Sequence, residues 1–594
     1  MYPDEFFGLL WKVAHSAIVS SLELEFAFWV VVLGLSVTLM ALEPRFLRRP
    51  ESAWDRLARR RWLSVALVGV AVLAIRAAML PLVPIPEPIV HDEYSFILQA
   101  QTFAAGRVTN PPHPMWEHFE TFHVNMLPTY EAMYPPAQGL FLAAGLLAFG
   151  HPWWGVWLSV GLMCAAVTWM LQAWMPPRWA LLGGAFCMLR FGVFSYFMNS
   201  YCGGAVPALG GALLMGAAPR VWKRPAAGNA VVVALGLAIL ANSRPYEGLV
   251  LSLAPLLWMA VWLFRKPACR GAIFSRVVVP AAALLVLCGA GMLYYNWRGT
   301  GHALEMPYTA NLRQYHISKP FLWQAAYPIP RYHHPIMRRF YLEQEYPGYL
   351  MSRSLWGLEE LSKAKLNDYY DYYVWPLLLL FVPSLWIMLK SRRARLLAIS
   401  ALLLAAGMLL ESWRPQAHYA APVTCVVVAI ALYGLRLLRT WRPLRLPAGT
   451  VISRAIVLLL LAWMLFPIAH VLVTPVNLQP WPGMLLAPQL DRARLQAQLQ
   501  RTPGQHLVIV RNRASAGAGQ DWIYNQPDID RAKVVWARDM GAEKNEELLH
   551  YFATRRVWCV DQNDGIMRLQ AYQEHTPEQI LAAAGDLAPG EHRN

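Results

Sequence analysis

An acidic pair, Asp92-Glu93, flanked by His91 and Tyr94, follows an apolar stretch (Trp62 to Val83) and the rigid exit Pro84-Ile85-Pro86-Glu87-Pro88. A carboxylate at the end of such a run sits where lipid gives way to water. It loses solvation there, so a metal, a basic partner or a substrate proton must compensate. This makes Asp92 and Glu93 the leading candidates for a catalytic base, with His91 beside them as a substrate contact. Arg107, His113, Glu117, His118, Glu120, His123 and Glu131 come next, and Tyr134-Pro135-Pro136-Ala137-Gln138 opens the following apolar run. The histidines and glutamates match no tight zinc spacing. Two readings stay open: interfacial histidines bonded to backbone, or a divalent metal ion held by Asp92, Glu93 and His113.

Two short turns contribute positive charge. Asn242-Ser243-Arg244-Pro245-Tyr246-Glu247-Gly248 carries Arg244 three residues from Glu247, and Glu411 to Tyr419 carries Arg414 and His418. Either these groups anchor their turns, or the guanidiniums and the imidazole face a phosphate or a sugar. The first turn is too short to reach far, so Arg244 acts at membrane level. Lys319, Arg331, His333, His334, Arg338, Arg339 and Arg353 fall in a second long segment. Their charge runs against the inside bias of basic residues and suggests an anionic ligand or anionic lipid headgroups.

The elements that must position these groups are membrane helices. The 594 residues are 57% hydrophobic and 15% charged, where soluble domains carry about 25% charged residues. Mean hydropathy is +0.32, and apolar runs of about 20 residues recur, the signature of a polytopic membrane protein. The net charge of +16 does not indicate a nucleic-acid partner, because the bases cluster in short loops between apolar runs. The loop from Glu43 to Trp62 alone holds Arg45, Arg48, Arg49, Arg56, Arg59, Arg60 and Arg61 and is placed in the cytoplasm.

Alternation then puts segments 84–136 and 298–373, both turns and the C-terminal tail on the external face. Spans are expected at 23–42, 62–83, 179–198, 203–218, 228–242, 248–264, 277–296, 374–389, 396–411, 419–435 and 455–474. Of the two further runs, 137–149 and 153–174, parity allows one crossing; the shorter is assigned to the interface or a re-entrant loop. The total is about 12 transmembrane helices. Arg76 and Arg190 lie inside apolar runs and must reach an exit, protein or a cavity.

The tail changes character. Segments 506–511, 532–536 and 556–560 read as short buried strands and 545–554 as a helix. The expected fold is therefore an all-α polytopic membrane protein with a small C-terminal soluble α/β domain. It divides into an N-terminal helix and basic loop (1–61), a transmembrane catalytic domain (62–475) and an external domain (476–594). The seven cysteines show no metal spacing and read as small buried hydrophobes.

An acidic pair opening the first external loop, a Tyr-Pro-Pro start to the next run and a soluble tail, in that order, resemble the GT-C membrane glycosyltransferases. Protein O-mannosyltransferases and lipid A aminoarabinose transferases are the nearest groups, over roughly residues 60–475. The resemblance implies transfer of a sugar from a polyprenyl-phosphate donor to a lipid, glycan or protein acceptor, with inversion, at the periplasmic face of a bacterial inner membrane. It implies that Asp92 or Glu93 is the base or a metal ligand. Arg244, Arg414, His418, Tyr134 and His91 would then bind the donor phosphate and substrate. Asn199-Ser200-Tyr201 stands where relatives often carry a further acid. Two rival readings are a lipid-linked polysaccharide ligase or polymerase working through Arg331 to Arg339, and a transporter. A transporter would place polar groups at mid-membrane, whereas here they gather at one face.

Overall fold

The computed structural model describes residues 23, 25–40, 47–265, 270–413, 416–473, 487–512, 521–562 and 567–572. Five helices among them are long and apolar enough to cross a membrane: Arg61–Ala78, Trp153–Trp174, Pro245–Phe264, Phe274–Thr300 and Ala417–Arg439. The pair Leu355–Val374 and Leu378–Lys390, bent by 89°, makes a sixth if counted as one span. The expected twelve are not reached on these criteria, for local reasons. Ala227–Ala241 has 15 residues, about 22 Å of helix against about 30 Å of hydrocarbon. Arg392–Leu409 starts with three arginines in its first four residues. The expected span 179–198 is broken: Pro177–Cys187 passes into a π-helical stretch, Met188–Val193, and then a short helix, Tyr196–Asn199. Arg190, in the break, donates to the carbonyls of Asp371 and Tyr372 at 2.7 and 3.0 Å.

The Pro136–Phe149 helix has 14 residues, too few to cross, while Trp153–Trp174 has 22. They turn through Gly150 at φ 75° and pack so closely that a Cβ on Gly145 would fall 2.0 Å from the Gly155 nitrogen. Helices differ sharply in their surroundings. Ala417–Arg439 is 72% buried within the protein over its apolar window and Phe274–Thr300 only 6%. The first is a central pillar, and the second turns its apolar surface outward, as a lipid-facing helix does.

The long segment after Arg61–Ala78 is a compact structure. It contains the helix His91–Ala104 and an antiparallel pair, β1 (Val124–Asn125) and β2 (Glu131–Ala132), with Asn125 opposite Glu131. The tail forms the expected small sheet. β3 (His506–Arg511) lies between parallel partners β4 (Val534–Arg538) and β5 (Arg556–Asp561), and β6 (Gln570–Ala571) closes the edge antiparallel to β5. The run 532–536 is thus a strand over Val534–Arg538, and the helix comes slightly earlier than expected, at Ala542–Tyr551.

One face of this sheet does not close on its own domain. Leu507, Ile509, Val535, Ala537, Leu548 and Phe552 share a single apolar core with Leu98, Phe119, Val124, Met126 and Tyr130 of segment 84–136. Five of the six described cysteines are buried and Cys288 is partly so. Cys269 lies outside the described residues.

Glu131 is buried in this assembly, and burial pushes its carboxyl from 4.5 up to about 8. The folded state therefore holds a proton that the unfolded chain releases. The associated stability is present below about pH 4.5 and is lost as pH rises toward 8. In Glu131→Gln this dependence is removed. Thermal unfolding of the detergent-solubilised protein from pH 5 to 8.5 should show the variant gaining on the parent as pH rises, by up to a few kcal/mol. A constant difference across that range would refute the assignment.

Candidate active site

The site is built from the exit of the first long span. Arg76 is fully buried, its guanidinium over the Trp153 ring at 4.8 Å. It donates to the carbonyls of Val83 and Pro84 at 2.8 and 3.1 Å and to Asn199 Oδ1 at 3.2 Å. It does reach the exit, but to bond the backbone there and not to meet water. This ties the proline-rich segment to the turn at Asn199-Ser200-Tyr201. Tyr201 in turn donates its hydroxyl to the Pro86 carbonyl at 2.9 Å and its N–H to Glu93 Oε1 at 2.9 Å.

Glu93 is the third residue of the His91–Ala104 helix, and its other oxygen accepts the N–H groups of Ile89 and Val90 at 2.8 and 3.2 Å. Burial raises its carboxyl to about 7 despite these three donors. With both oxygens committed to backbone, Glu93 has the geometry of a helix cap. The sequence treats the pair as near equals; the fold separates them.

Asp92 points the other way. Tyr134 donates its hydroxyl to Oδ1 in a short hydrogen bond, His123 Nδ1 lies 3.4 Å from the same oxygen, and His91 Nε2 lies 3.3 Å from Oδ2. The Asp92 side chain keeps 26% exposure, so a reactant can reach it. Burial opposes its charge, but the neighbouring rings and the bonds from His123 and Tyr134 outweigh that, and the carboxyl is held well below the usual range. Burial pushes His91 down to about 4. His91 is therefore neutral at pH 7, and ionised Asp92 relies on His123, the Tyr134 hydroxyl and the start of a helix. His123 adopts φ 59°, a left-handed conformation uncommon outside glycine. Its carbonyl accepts the Ser95 hydroxyl at 2.7 Å, which fixes it to the same helix.

Among the described residues, His91, Asp92 and His123 form the one group of three whose ligand atoms all lie within 4.8 Å of one another. Two imidazoles and a carboxylate suit a borderline divalent ion such as zinc, and His91 Nδ1 is buried without a protein partner. The set expected from sequence was different. Glu93 is turned to backbone, and His113 bonds Asp530 at 3.1 Å and the Met115 N–H at 2.9 Å. His123 replaces both, and no spacing rule singles it out because strain at one residue, not sequence distance, aims it.

The basic side of the site comes from other helices. Arg244 precedes Pro245, the first residue of a span, and its guanidinium lies 4.0 Å over the Tyr419 ring. The Ala137 N–H donates to the Asn242 carbonyl at 2.9 Å, which binds this turn to the Tyr-Pro-Pro start. His418 and Tyr419 each lie within electrostatic reach of both Asp92 and Arg244. Tyr134, which bonds Asp92, is also within electrostatic reach of Arg244, so residues 92, 134, 244, 418 and 419 lie near one another. Arg414 lies outside the described residues. Lys365, which the sequence does not single out, is fully buried and donates to the carbonyls of Met408 and Glu411 at 3.0 and 2.6 Å. Burial, with Glu247 nearby, pushes the Glu411 carboxyl well above its usual range. The only sequence signal for Lys365 is a lysine followed by a tyrosine run.

No protein-family profile and no curated protein matches the chain in sequence. Similar solved structures include a crystal structure of ArnT from Cupriavidus metallidurans bound to undecaprenyl phosphate. It is 13% identical, with a TM-score of 0.44, over 87% of this chain and 95% of that chain. A crystal structure of the Archaeoglobus fulgidus oligosaccharyltransferase, tethered with an acceptor peptide, is 11% identical with a TM-score of 0.42. It matches over 75% of this chain and 62% of that chain. At these scores the likenesses assign no role to any residue.

Proposed function

We propose that the chain is a membrane glycosyltransferase of the GT-C type that moves a sugar from a polyprenyl-phosphate donor to an acceptor hydroxyl, with inversion, at the external face of the membrane. The observation that carries this reading is the meeting of Asp92 and Arg244 around His418 and Tyr419, at the end of a span. A phosphate on a lipid is already a good leaving group, so the reaction needs no strong general acid. It needs an acceptor for the hydroxyl proton and positive charge on the departing phosphate.

In this mechanism the acceptor oxygen attacks the anomeric carbon and the bond from that carbon to the phosphate oxygen breaks. The electron pair leaves on the phosphate, and the hydroxyl proton passes to Asp92. Arg244 holds the phosphate. Tyr134 and His123 keep the Asp92 carboxylate ionised and aimed. A divalent ion, if bound by His91, Asp92 and His123, would supply Lewis-acid polarisation at the same place. About 12 crossings, a bacterial inner membrane and a periplasmic site complete the proposal, supported by the basic loops of the other face.

Mass spectrometry of lipids copurifying with the protein should find a polyprenyl-phosphate sugar. Arg244→Gln should deplete that lipid and lower kcat/KM for transfer about a hundredfold, the usual scale for losing one charged transition-state contact. Absence of any polyprenyl phosphate from the parent protein, with transfer unaffected by Arg244→Gln, would overturn the reading.

A further inference from the structure

A cavity of about 340 Å³ opens in the second long external segment, lined by Tyr332, His333, His334, Arg338, Arg339 and Glu343 among others. The mechanism above uses none of them. The short helix Pro335–Arg338 and the π-helical turn after it carry both arginines. Ile336, Met337 and Tyr341 fix this piece by packing with Phe122 and Tyr315. The cavity is therefore rigidly joined to the first external segment, and π-helical turns recur at functional sites.

Two guanidiniums here share one carboxylate. Arg338 lies 2.8 Å and Arg339 3.6 Å from Glu343, whose side chain is 46% exposed. Half-exposed pairs of this kind contribute little to stability, so a better oxyanion can take the place of Glu343 at small cost. The floor is different in kind. Glu120 is buried and lies 3.1 Å from His333 Nδ1 and 3.4 Å from His334 Nε2. His334 Nε2 also lies 2.7 Å from the Glu117 carbonyl, which requires a proton on that nitrogen. The imidazoles are thus held in place from below, and the arginines are exchangeable at the rim.

The cavity also lies near the reacting groups. Phe340, the residue after Arg339, packs on Phe122 at 5.0 Å and on the His91 ring at 5.8 Å. His91 is itself 3.3 Å from Asp92. One layer of aromatic rings therefore separates the arginine pair from the proposed base.

We propose that this cavity binds an oxyanion, a phosphate monoester or a carboxylate, carried by the acceptor, and so presents the acceptor hydroxyl toward Asp92. The assignment rests on the transfer reading for the word acceptor, while anion binding itself does not. Two guanidiniums in reach of one point match the forked geometry by which arginine recognises such groups.

The test is binding, on the full chain in phosphatidylcholine nanodiscs. In one arm inorganic phosphate is titrated calorimetrically at low salt; in the other, incorporation of phosphatidic acid is read by copurifying lipid. Arg338→Gln/Arg339→Gln should weaken binding about tenfold or more in whichever arm the parent binds. Binding of inorganic phosphate alone points to a soluble oxyanion, and enrichment of phosphatidic acid to a lipid headgroup. Equal binding by parent and double variant, or no binding by the parent in either arm, overturns the proposal. The Asp92 assignment is judged separately, from transfer rates, so either reading can fail without the other.

Discussion

Asp92→Asn is expected to lower sugar transfer by about a thousandfold while leaving the protein folded and its donor lipid bound. A positioned base contributes on the order of 10² to 10⁴ in rate, and asparagine keeps the size of the side chain while losing its ability to take a proton. Asp92 makes no backbone contact that the helix depends on; its partners are Tyr134, His123 and His91. Glu93→Gln should fail differently. The Glu93 carboxylate accepts three backbone N–H groups on its two oxygens, and an amide nitrogen cannot accept. One buried donor set is left unmet, at a cost of about 1–3 kcal/mol, so the variant should lose thermal stability along with activity. Measuring transfer and melting temperature side by side separates the two. Wild-type transfer by Asp92→Asn, above all if changes at Arg331, His333 or His334 abolish it, would end the case for Asp92 as base.

The second large effect is expected far from the reacting groups. Arg538 is 2% exposed and donates to Asp521 Oδ2 at 2.7 Å, the Glu120 carbonyl at 3.0 Å and Asn512 Oδ1 at 3.1 Å. Thr121 donates to the same Asp521 oxygen at 2.7 Å. The ion pair therefore stitches the tail sheet to segment 84–136. Arg538→Ala leaves a buried carboxylate uncompensated and should destabilise by about 3–5 kcal/mol. Because the two parts share an apolar core, the loss should be cooperative. Limited proteolysis should cut both the 105–132 stretch and the tail, where a tail that merely rested on the surface would be cut alone. Cleavage confined to the tail, with transfer intact, would show that it is an independent appendage. Deletion of residues 480–594 is then expected to unfold the first segment and cannot report on acceptor binding by itself.

Several features were legible in the chain before any coordinates. Hydrophobic runs identify a membrane protein, because lipid enforces a period and a length that composition reveals directly. Strands in the tail show as short β-branched runs for a similar reason. Other features depend on which way a side chain turns. Asp92 and Glu93 are adjacent and chemically alike, and only the helix start at His91 sends one to the backbone and the other to the site.

The metal-ligand set expected from sequence, Asp92, Glu93 and His113, fails on the same point. His113 is drawn off to Asp530 by a domain more than 400 residues away, and His123 is brought in by a left-handed backbone. Length along the chain carries no information about either. What the sequence determines here is the medium and where the tail strands fall, since each follows from local composition. What the tertiary structure decides is which carboxylate is available, which histidines join it, and that the tail is built into segment 84–136. Those depend on long-range packing and on where buried backbone donors find their acceptors.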